Sequence, residues 1–274
     1  MAVIFRKILG AMAFRLDCFD GAGPMSHIYD NSFYDWVNMT ALRSARRLIP
    51  VVAANADIRS VADVGCGQGA WLSVWAENSV SDLHGFDGAY VDRDRLLFKG
   101  AFSPSDLTGH FEAERRFDLV QSLEVAEHLP PDCAQSFVER LCALSDLVMF
   151  SAARPGQGGE MHINERPPSF WARLFKERGY TAYDFVRPAF VHDSEVDPWY
   201  RYNTVVYASE TGATRLSQKA LASRREDLAQ LDGGGDLAWK LRLALLAPLP
   251  VSVVTTLSRW RYSAVCALQR KAGS

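Results

Sequence analysis

The sequence has 274 residues, of which 48% are hydrophobic, and a formal net charge of −2. This length is sufficient for one sizeable core with appendages, and the near-neutral charge gives no reason to expect a nucleic-acid partner. The five cysteines include no C-x-x-C pair and leave an odd one over. This pattern is typical of reduced thiols, so we predict a cytoplasmic protein.

The beginning of the chain is apolar with basic side chains interspersed. Residues 1–16 lack a long uncharged core and a small-residue cleavage site, so we predict an amphipathic helix and no signal peptide. Glycine and proline interrupt the chain at residues 21–24. A second helix is predicted over residues 32–52, with Ser32 as its N-cap. We assign residues 1–48 to an N-terminal helical segment that either packs on the core or forms a lid.

A glycine-rich turn follows the first predicted strand. The strand covers residues 61–64, and Asp63 lies near its end. Three glycines follow at alternate positions, Gly65, Gly67 and Gly69. They let the backbone turn tightly and let a ligand lie against bare backbone at Gly67 and Gly69. The helix predicted behind the turn offers N–H groups to an electron-rich ligand, which indicates a nucleotide-binding site.

Two acidic residues indicate which nucleotide is bound. A carboxylate at Asp63 would repel a pyrophosphate but would attract a sulfonium or ammonium group. Asp87 ends the next predicted strand roughly 20 residues after the glycines, where an acid holds ribose hydroxyls. Both positions favour S-adenosylmethionine, which carries a sulfonium and an α-amino group. The alternative is a plain strand–turn–helix unit with incidental glycines.

The chain then alternates between strand and helix patterns. Strands are predicted at residues 61–64, 82–86, 117–123, 147–151, 181–186 and 203–208. Helices are predicted at residues 71–78, 133–144 and 168–178. The alternation predicts an α/β fold with a doubly wound, Rossmann-like, mostly parallel sheet. The last two strands have no helix pattern between them, which predicts a reversed last strand. We assign residues 49–210 to this domain.

Three stretches of the sequence resemble one known family. They are the glycine turn, DLVQSLEVAEHLP at residues 118–130, and FSAARPGQGGEMHINE at residues 150–165 with the segments 168–171 and 175–180 behind it. Over residues 33–208 the chain resembles class I S-adenosylmethionine-dependent methyltransferases, of the bacterial type often associated with surface-polysaccharide genes.

The resemblance implies a set of cofactor-binding residues. Asp63 and the three glycines would bind the methionine part, Asp87 the ribose, and Asp106 with Leu107 the adenine. The full set of predicted cofactor-binding residues is Asp63, Gly65, Cys66, Gly67, Gly69, Asp87, Gly88, Asp106, Leu107 and Leu123.

Acidic and histidine side chains follow the strand that ends at Leu123. Glu124, Glu127 and His128 are spaced i, i+3 and i+4, which places them on one face if a helix begins there. His162 follows the next strand at the same edge of the sheet. The spacing resembles the metal site of small-RNA 3′-terminal 2′-O-methyltransferases. Carboxylates and imidazoles can hold a divalent ion, and such an ion lowers the pKa of a sugar hydroxyl.

These side chains could also act without a metal. The two glutamates could make structural hydrogen bonds while His128 packs or caps. His162 could be a general base that takes the hydroxyl proton, or a buried histidine that orients its loop. The predicted catalytic residues are His162, Glu127 and His128, and the predicted metal ligands are Glu124, Glu127, His128 and His162.

The loop that carries His162 contains three glycines, which predict a flexible, substrate-gating segment. Asn164 and Glu165 could hold polar groups of a substrate or cap the following helix. A cluster before the last strand could stack on a sugar face, although core packing is favoured; it consists of Trp199, Tyr200, Arg201 and Tyr202.

The tail, residues 211–274, lies outside the resemblance. It begins with a predicted helix over residues 213–231 and a glycine linker at 232–236. No acidic residue follows Asp236, and six basic residues flank an apolar run at residues 243–257. Two prolines make this run too short and too broken to span a bilayer. It suits peripheral contact with the inner face of a membrane, or a helical cap docked on the core.

These patterns predict an S-adenosylmethionine-dependent methyltransferase that acts on an oxygen nucleophile. The predicted acceptor is a sugar hydroxyl of a glycan or glycolipid precursor. Alternatives are methylation of a small metabolite at oxygen or nitrogen, another reaction that consumes S-adenosylmethionine, and a non-catalytic cofactor-binding scaffold.

Overall fold

The structure is a computed structural model that describes residues 31–109 and 111–258, with side chains from residue 38 onward. The amphipathic helix predicted for residues 1–16 and the break at 21–24 lie outside the described residues. The second predicted helix is present as α1, which spans Asn31–Ala53 and includes Ser32.

The described residues form one mixed sheet. Its strands are β1 (Ser60–Val64), β2 (Asp82–Asp87), β3 (Ala101–Pro104), β4 (Leu119–Leu123), β5 (Leu147–Ser151), β6 (Thr181–Tyr183), β7 (Val205–Ala208) and β8 (Arg224–Arg225). The strand order is β3-β2-β1-β4-β5-β7-β6-β8. Strands β1 to β5 pair in parallel, whereas β7 runs antiparallel to both β5 and β6. The predicted Rossmann-like sheet with a reversed last strand is therefore confirmed.

Helices cover both faces of the sheet. After α1 they are α2 (Ala70–Glu77), α3 (Ala134–Leu144), α4 (Pro168–Glu177), α5 (Arg187–Phe190), α6 (Pro198–Asn203), α7 (Glu210–Ala213), α8 (Gln218–Leu221) and α9 (Leu237–Leu246). Every residue of β1, β4 and β5 is buried, because parallel strands in the middle of such a sheet are covered on both faces. One core contains α1 and α2, and the other contains α3 and α4.

The region between β6 and β7 differs from the prediction. Strand β6 ends at Tyr183, and two short helices, α5 and α6, precede β7 where no helix was expected. A buried ion pair stabilises the backbone between β6 and α5. Arg187 donates to both carboxylate oxygens of Asp184, at 2.7 and 2.8 Å. Pairing of this kind depends on tertiary burial, and the apolar pattern of the sequence does not reveal it.

The predicted helix over residues 213–231 is also wrong. Two helix-capping side chains divide it: Ser217 accepts from the N–H of Ala220, and Asp227 accepts from that of Ala229. Each cap starts a new short element. The segment between them, β8, adds a strand beside β6.

The predicted glycine linker is docked on the core. The Asp232 carboxylate accepts from the N–H and hydroxyl of Ser169 at the start of α4, and Arg154 donates to the carbonyls of Asp232 and Gly234. Asp236 then caps α9. Within residues 31–109 and 111–258, every helix is too short or too polar to cross a bilayer.

Candidate active site

The glycine turn joins β1 to α2 in a conformation that requires glycine. Gly65, Gly67 and Gly69 all have positive φ, at 85°, 54° and 80°, a region that other residues rarely adopt. A Cβ on Gly69 would lie 2.2 Å from the ring of Phe98, whereas one on Gly67 would meet nothing within 4 Å. The open backbone predicted for a ligand is therefore present at Gly67, but the space beside Gly69 is filled by Phe98.

Asp63 lies beneath this turn and is 4% exposed. Burial raises the pKa of its carboxyl to about 7; a hydrogen bond with Gln121 opposes the shift and the negative charge of Asp87 adds to it. A buried carboxylate of this kind is stabilised by a cationic ligand. The contact of Asp63 with the α-amino group of the cofactor stays a prediction. A positively charged amino group would stabilise the ionised form of this carboxyl.

Asp87 ends β2 directly beside the glycine turn. Its Oδ2 accepts from the N–H of Gly67 at 2.7 Å. Its Oδ1 accepts from the N–H of Gly88 at 2.6 Å and from the hydroxyl of Tyr90 at 2.5 Å. Asp87 therefore holds the turn in place, and a ribose would share or displace the Tyr90 contact. The ribose role stays a prediction.

The remaining predicted cofactor residues occupy different environments. Cys66 and Leu123 are buried, and burial raises the pKa of the Cys66 thiol. Leu107 is partly buried against the second core. The Asp106 carboxylate accepts from the hydroxyl and the N–H of Thr108 at 2.7 and 2.9 Å, and these bonds lower its pKa. Their contacts with a cofactor stay predictions.

The buried Asp63 predicts a pH-dependent affinity for S-adenosylmethionine. A cation binds the ionised form, so the dissociation constant should fall roughly tenfold per unit as pH rises toward about 7, and then level off. Calorimetry across this range measures the effect. Asp63→Asn should bind weakly with a flat profile, and an unchanged slope in that variant would contradict the assignment.

A second cluster lies after β4 and β5. The candidate ligand atoms of Glu127, His128 and His162 all lie within 4.8 Å of one another. The two imidazole centroids are 4.9 Å apart and the rings are nearly perpendicular. The backbone brings them together, because the N–H groups of Ile163 and Asn164 both donate to the carbonyl of Glu127 at 2.9 Å. The predicted convergence of these three residues is therefore present.

Glu124 is placed differently from the other three. The segment Ala126–His128 is a single 3-10 turn, so the predicted helix face does not exist. Glu124 has a φ of 56°, a strained conformation of the kind that concentrates at functional sites. Its carboxylate accepts from the side-chain amides of Gln157 and Asn203. Its role as a metal ligand stays a prediction.

Glu127 has the most demanding environment in the cluster. It is 0% exposed, and neither carboxylate oxygen accepts a well-formed hydrogen bond in the described structure. The nearby backbone N–H groups of Glu127 and Ala153 favour the charged form, but by less than burial disfavours it. Its pKa is raised well above the ordinary range, because burial disfavours the charged form and the Glu124 carboxylate adds repulsion. A buried carboxylate without partners requires a proton or a cation. The donor set of one carboxylate and two imidazoles fits a divalent ion.

The two histidines are held in different ways. His128 is exposed to solvent, which limits the effect of the protein around it. Crowding by protein atoms and the neighbouring His162 lower the pKa of His128, so the imidazole is neutral at physiological pH. Nδ1 of His162 lies 3.0 Å from Oε1 of Glu165. Because a carboxylate only accepts, Nδ1 carries the proton and Nε2 can accept a proton or bind an ion.

Glu165 organises the whole loop, a role that the sequence did not indicate. Its carboxylate also accepts from the N–H groups of Gly156 and Gly158 at 2.8 and 2.9 Å. The predicted flexible, gating loop is therefore pinned in this structure. Asn164 donates to the carbonyl of Ala126, so neither it nor Glu165 caps the following helix, whose N-cap is Pro167.

We expect Glu165→Gln to weaken binding of a divalent ion roughly 10- to 100-fold, because residues that orient a ligating histidine have effects of this size. Affinity for S-adenosylmethionine should be unchanged, and excess ion should restore turnover. Glu177→Gln, an exposed change in α4, is the matched control. Equal ion affinities in the two variants would contradict the positioning role.

The cluster adjoins the cofactor residues. The side chain of Val125 occupies the space that a Cβ on Gly65 would need, so the segment carrying Glu127 touches the glycine turn. Tyr200 lies between the two groups: it packs edge-on against Trp71 at 5.0 Å, and the charges of Glu124 and Asp63 both act on it. Tyr200 and Tyr202 are buried, which agrees with the packing role favoured from sequence.

The sequence analysis missed three residues that shape the candidate site: Gln157, Asn203 and Phe98. Gln157 and Asn203 are 33 and 79 residues from the Glu124 they bind. Contacts between residues so far apart in the chain produce no local sequence pattern from which they could be predicted.

The fold and the site together are those of an α/β enzyme whose ligand site lies at the carboxyl edge of its sheet. A family model described as a methyltransferase domain matches residues 38–184. The chain belongs to this methyltransferase family and is an S-adenosylmethionine-dependent methyltransferase.

The chain is similar to several solved structures at low sequence identity. The methyltransferase domain of bacterial CtHen1-C is 19% identical, with 62% of this chain and 98% of that chain covered and a TM-score of 0.45. The S-adenosylmethionine-bound amino pentose methyltransferase CalS10 from Micromonospora echinaspora is 19% identical, with 48% and 59% covered and a TM-score of 0.38. An O-methyltransferase family protein from Burkholderia thailandensis is 13% identical, with 66% and 61% covered and a TM-score of 0.48.

These likenesses are too distant to indicate the acceptor of this chain. No curated protein matches the sequence at a significant level.

Proposed function

We propose that this methyltransferase methylates a sugar hydroxyl of a glycan or glycolipid precursor, as an enzyme of polysaccharide biosynthesis. The observation that supports the proposal is the buried, unpartnered carboxylate of Glu127 beside two imidazoles. These three side chains would hold a divalent ion, which would supply a Lewis acid for an acceptor hydroxyl. The hydroxyls of a sugar ring are oxygen donors of the kind that such an ion prefers.

The chain's own residues prepare this site. Glu127 supplies the negative charge that a divalent ion needs, and the lowered pKa of His128 keeps its ring available as a neutral ligand. Glu165 fixes the protonation of His162. A divalent ion held by Glu127, His128 and His162 would lower the pKa of a hydroxyl bound to it.

The transfer itself is a displacement at carbon. The acceptor oxygen forms a bond to the methyl carbon while the carbon–sulfur bond breaks, and the sulfonium becomes the thioether of S-adenosylhomocysteine. The hydroxyl proton is released to solvent, which reaches the cluster at the exposed His128. Alignment and exclusion of water from the reacting pair contribute the rate enhancement.

The acceptor is tested by mass spectrometry and linkage analysis of surface glycans from a deletion strain. We expect one O-methylated sugar to disappear, and to return on complementation with the natural gene but not with a Glu127→Gln gene. Unchanged glycans, together with loss of a methylated small metabolite, would contradict the proposal and favour that metabolite as the acceptor.

A further inference from the structure

Helix α9 has a docked face and an exposed apolar face. On the docked face Trp239 is buried and packs against Tyr202 at 5.6 Å. On the other face Leu237, Leu241 and Leu245 are 83%, 58% and 63% exposed. Their i, i+4 spacing places them in one row along the helix. The sequence hypothesis of a docked cap therefore describes only one side of the tail.

Further exposed apolar side chains follow α9 in the sequence. Residues 251–258 are helical, and Val251, Val253 and Leu257 are 51%, 40% and 45% exposed. We call this surface the tail face; it consists of Leu237, Leu241, Leu245, Val251, Val253 and Leu257. Large apolar side chains that are exposed together in one segment indicate an interaction surface.

The charge distribution indicates what covers this surface. All 32 acidic residues lie between residues 17 and 236. Residues 237–274 contain no acid and carry six of the 30 basic residues. Lys240 is exposed beside the tail face. Exposed apolar side chains accompanied only by basic charge suit the surface of an anionic lipid bilayer. A second copy of the chain would instead place its own basic C-terminal segment against this one.

We propose that the tail face binds the surface of an anionic lipid bilayer and thereby holds the candidate active site at the membrane–water interface. Bound in this way, α9 lies flat in the headgroup region with its leucines inserted and its basic side chains against lipid phosphates. The segment does not need to cross the bilayer.

The tail is in direct contact with the loop of the candidate site. Arg242 donates to the carbonyl of Gln157 at 3.0 Å, and the side-chain amide of Gln157 binds Glu124. A Cβ on Gly156 would lie 2.2 Å from the carbonyl of Leu243 in α9. Membrane contact through the tail face therefore holds this loop near the lipid surface, on the protein side of α9. If the proposed function holds, the acceptor is a lipid-linked sugar, and this last step rests on that function.

Flotation of the full-length protein with vesicles tests the surface without any turnover. The protein should float with vesicles of phosphatidylglycerol and phosphatidylcholine at low salt and much less with phosphatidylcholine alone. Leu241→Glu with Leu245→Glu should reduce binding roughly tenfold or more. Met39→Glu with Val191→Glu makes the same charge change at two exposed apolar positions outside the tail and should bind like the natural protein.

Circular dichroism confirms that each variant is folded. Absence of flotation, or equal binding by both double variants, overturns the membrane proposal and leaves the glycan experiment unaffected. Sedimentation equilibrium tests whether a second copy of the chain binds the tail face instead. A dimer of the natural protein that dissociates in the Leu241→Glu, Leu245→Glu variant, but not in the control variant, would show this contact and would also overturn the membrane proposal.

Discussion

Glu127→Gln is expected to raise the melting temperature of the metal-free protein at about pH 8 and to abolish its stabilisation by divalent ions. The buried carboxylate has no partner in the described structure, and its pKa is raised. Ionising it in the folded protein therefore costs free energy that the neutral amide does not cost. We expect a gain of about 1–3 kcal/mol, which is roughly 2–4 °C per kcal/mol for a chain of this size.

The direction of the pH dependence follows from the raised pKa. Below the ordinary glutamate pKa of about 4.3 the carboxyl is protonated in both the folded and the unfolded protein, so the variant gains nothing there. As pH rises from that value through the folded pKa, the natural protein loses stability and the difference grows. Differential scanning fluorimetry with and without added ion measures it.

Turnover of Glu127→Gln should fall roughly 10²- to 10⁴-fold while S-adenosylmethionine still binds. Glu177→Gln, an exposed change in α4, should alter neither property. The assignment of Glu127 fails if Glu127→Gln melts lower than the natural protein at every pH and is still stabilised by divalent ions.

Removing the ion and removing His162 are expected to have equally large effects. A chelator should abolish turnover, and Mg²⁺, Mn²⁺, Fe²⁺ or Zn²⁺ should restore it. His162→Ala should lose roughly 10²- to 10⁴-fold in turnover and still bind S-adenosylmethionine, because the predicted cofactor residues lie on other segments of the chain. His192→Ala, at an exposed position, is the matched control.

The two treatments also separate the two roles of His162. If turnover survives chelation but is lost in His162→Ala, then Nε2 of His162 acts as a general base and the metal proposal is wrong. If His162→Ala retains normal turnover, the cluster takes no part in the reaction.

The sequence could predict those parts of the site that lie on local patterns. Buried strands appear as short apolar runs, and acids and histidines placed just after such runs reach one edge of a parallel sheet. Glu127, His128 and His162 were predictable for this reason. The helix predicted to start at Glu124 is absent, because Glu124 adopts a left-handed conformation and a single 3-10 turn follows it.

The sequence by itself therefore determined the α/β class, the glycine turn and the approximate convergence of the catalytic candidates, because periodicity and strand ends are local properties. Only the tertiary structure decided which partners each side chain has. It assigned Glu124 to Gln157 and Asn203, left Glu127 without a partner among the described residues, made Glu165 the organiser of the loop, and docked one side of the tail while exposing the other. Those outcomes depend on contacts between residues far apart in the chain, where burial sets the strength of each hydrogen bond and charge.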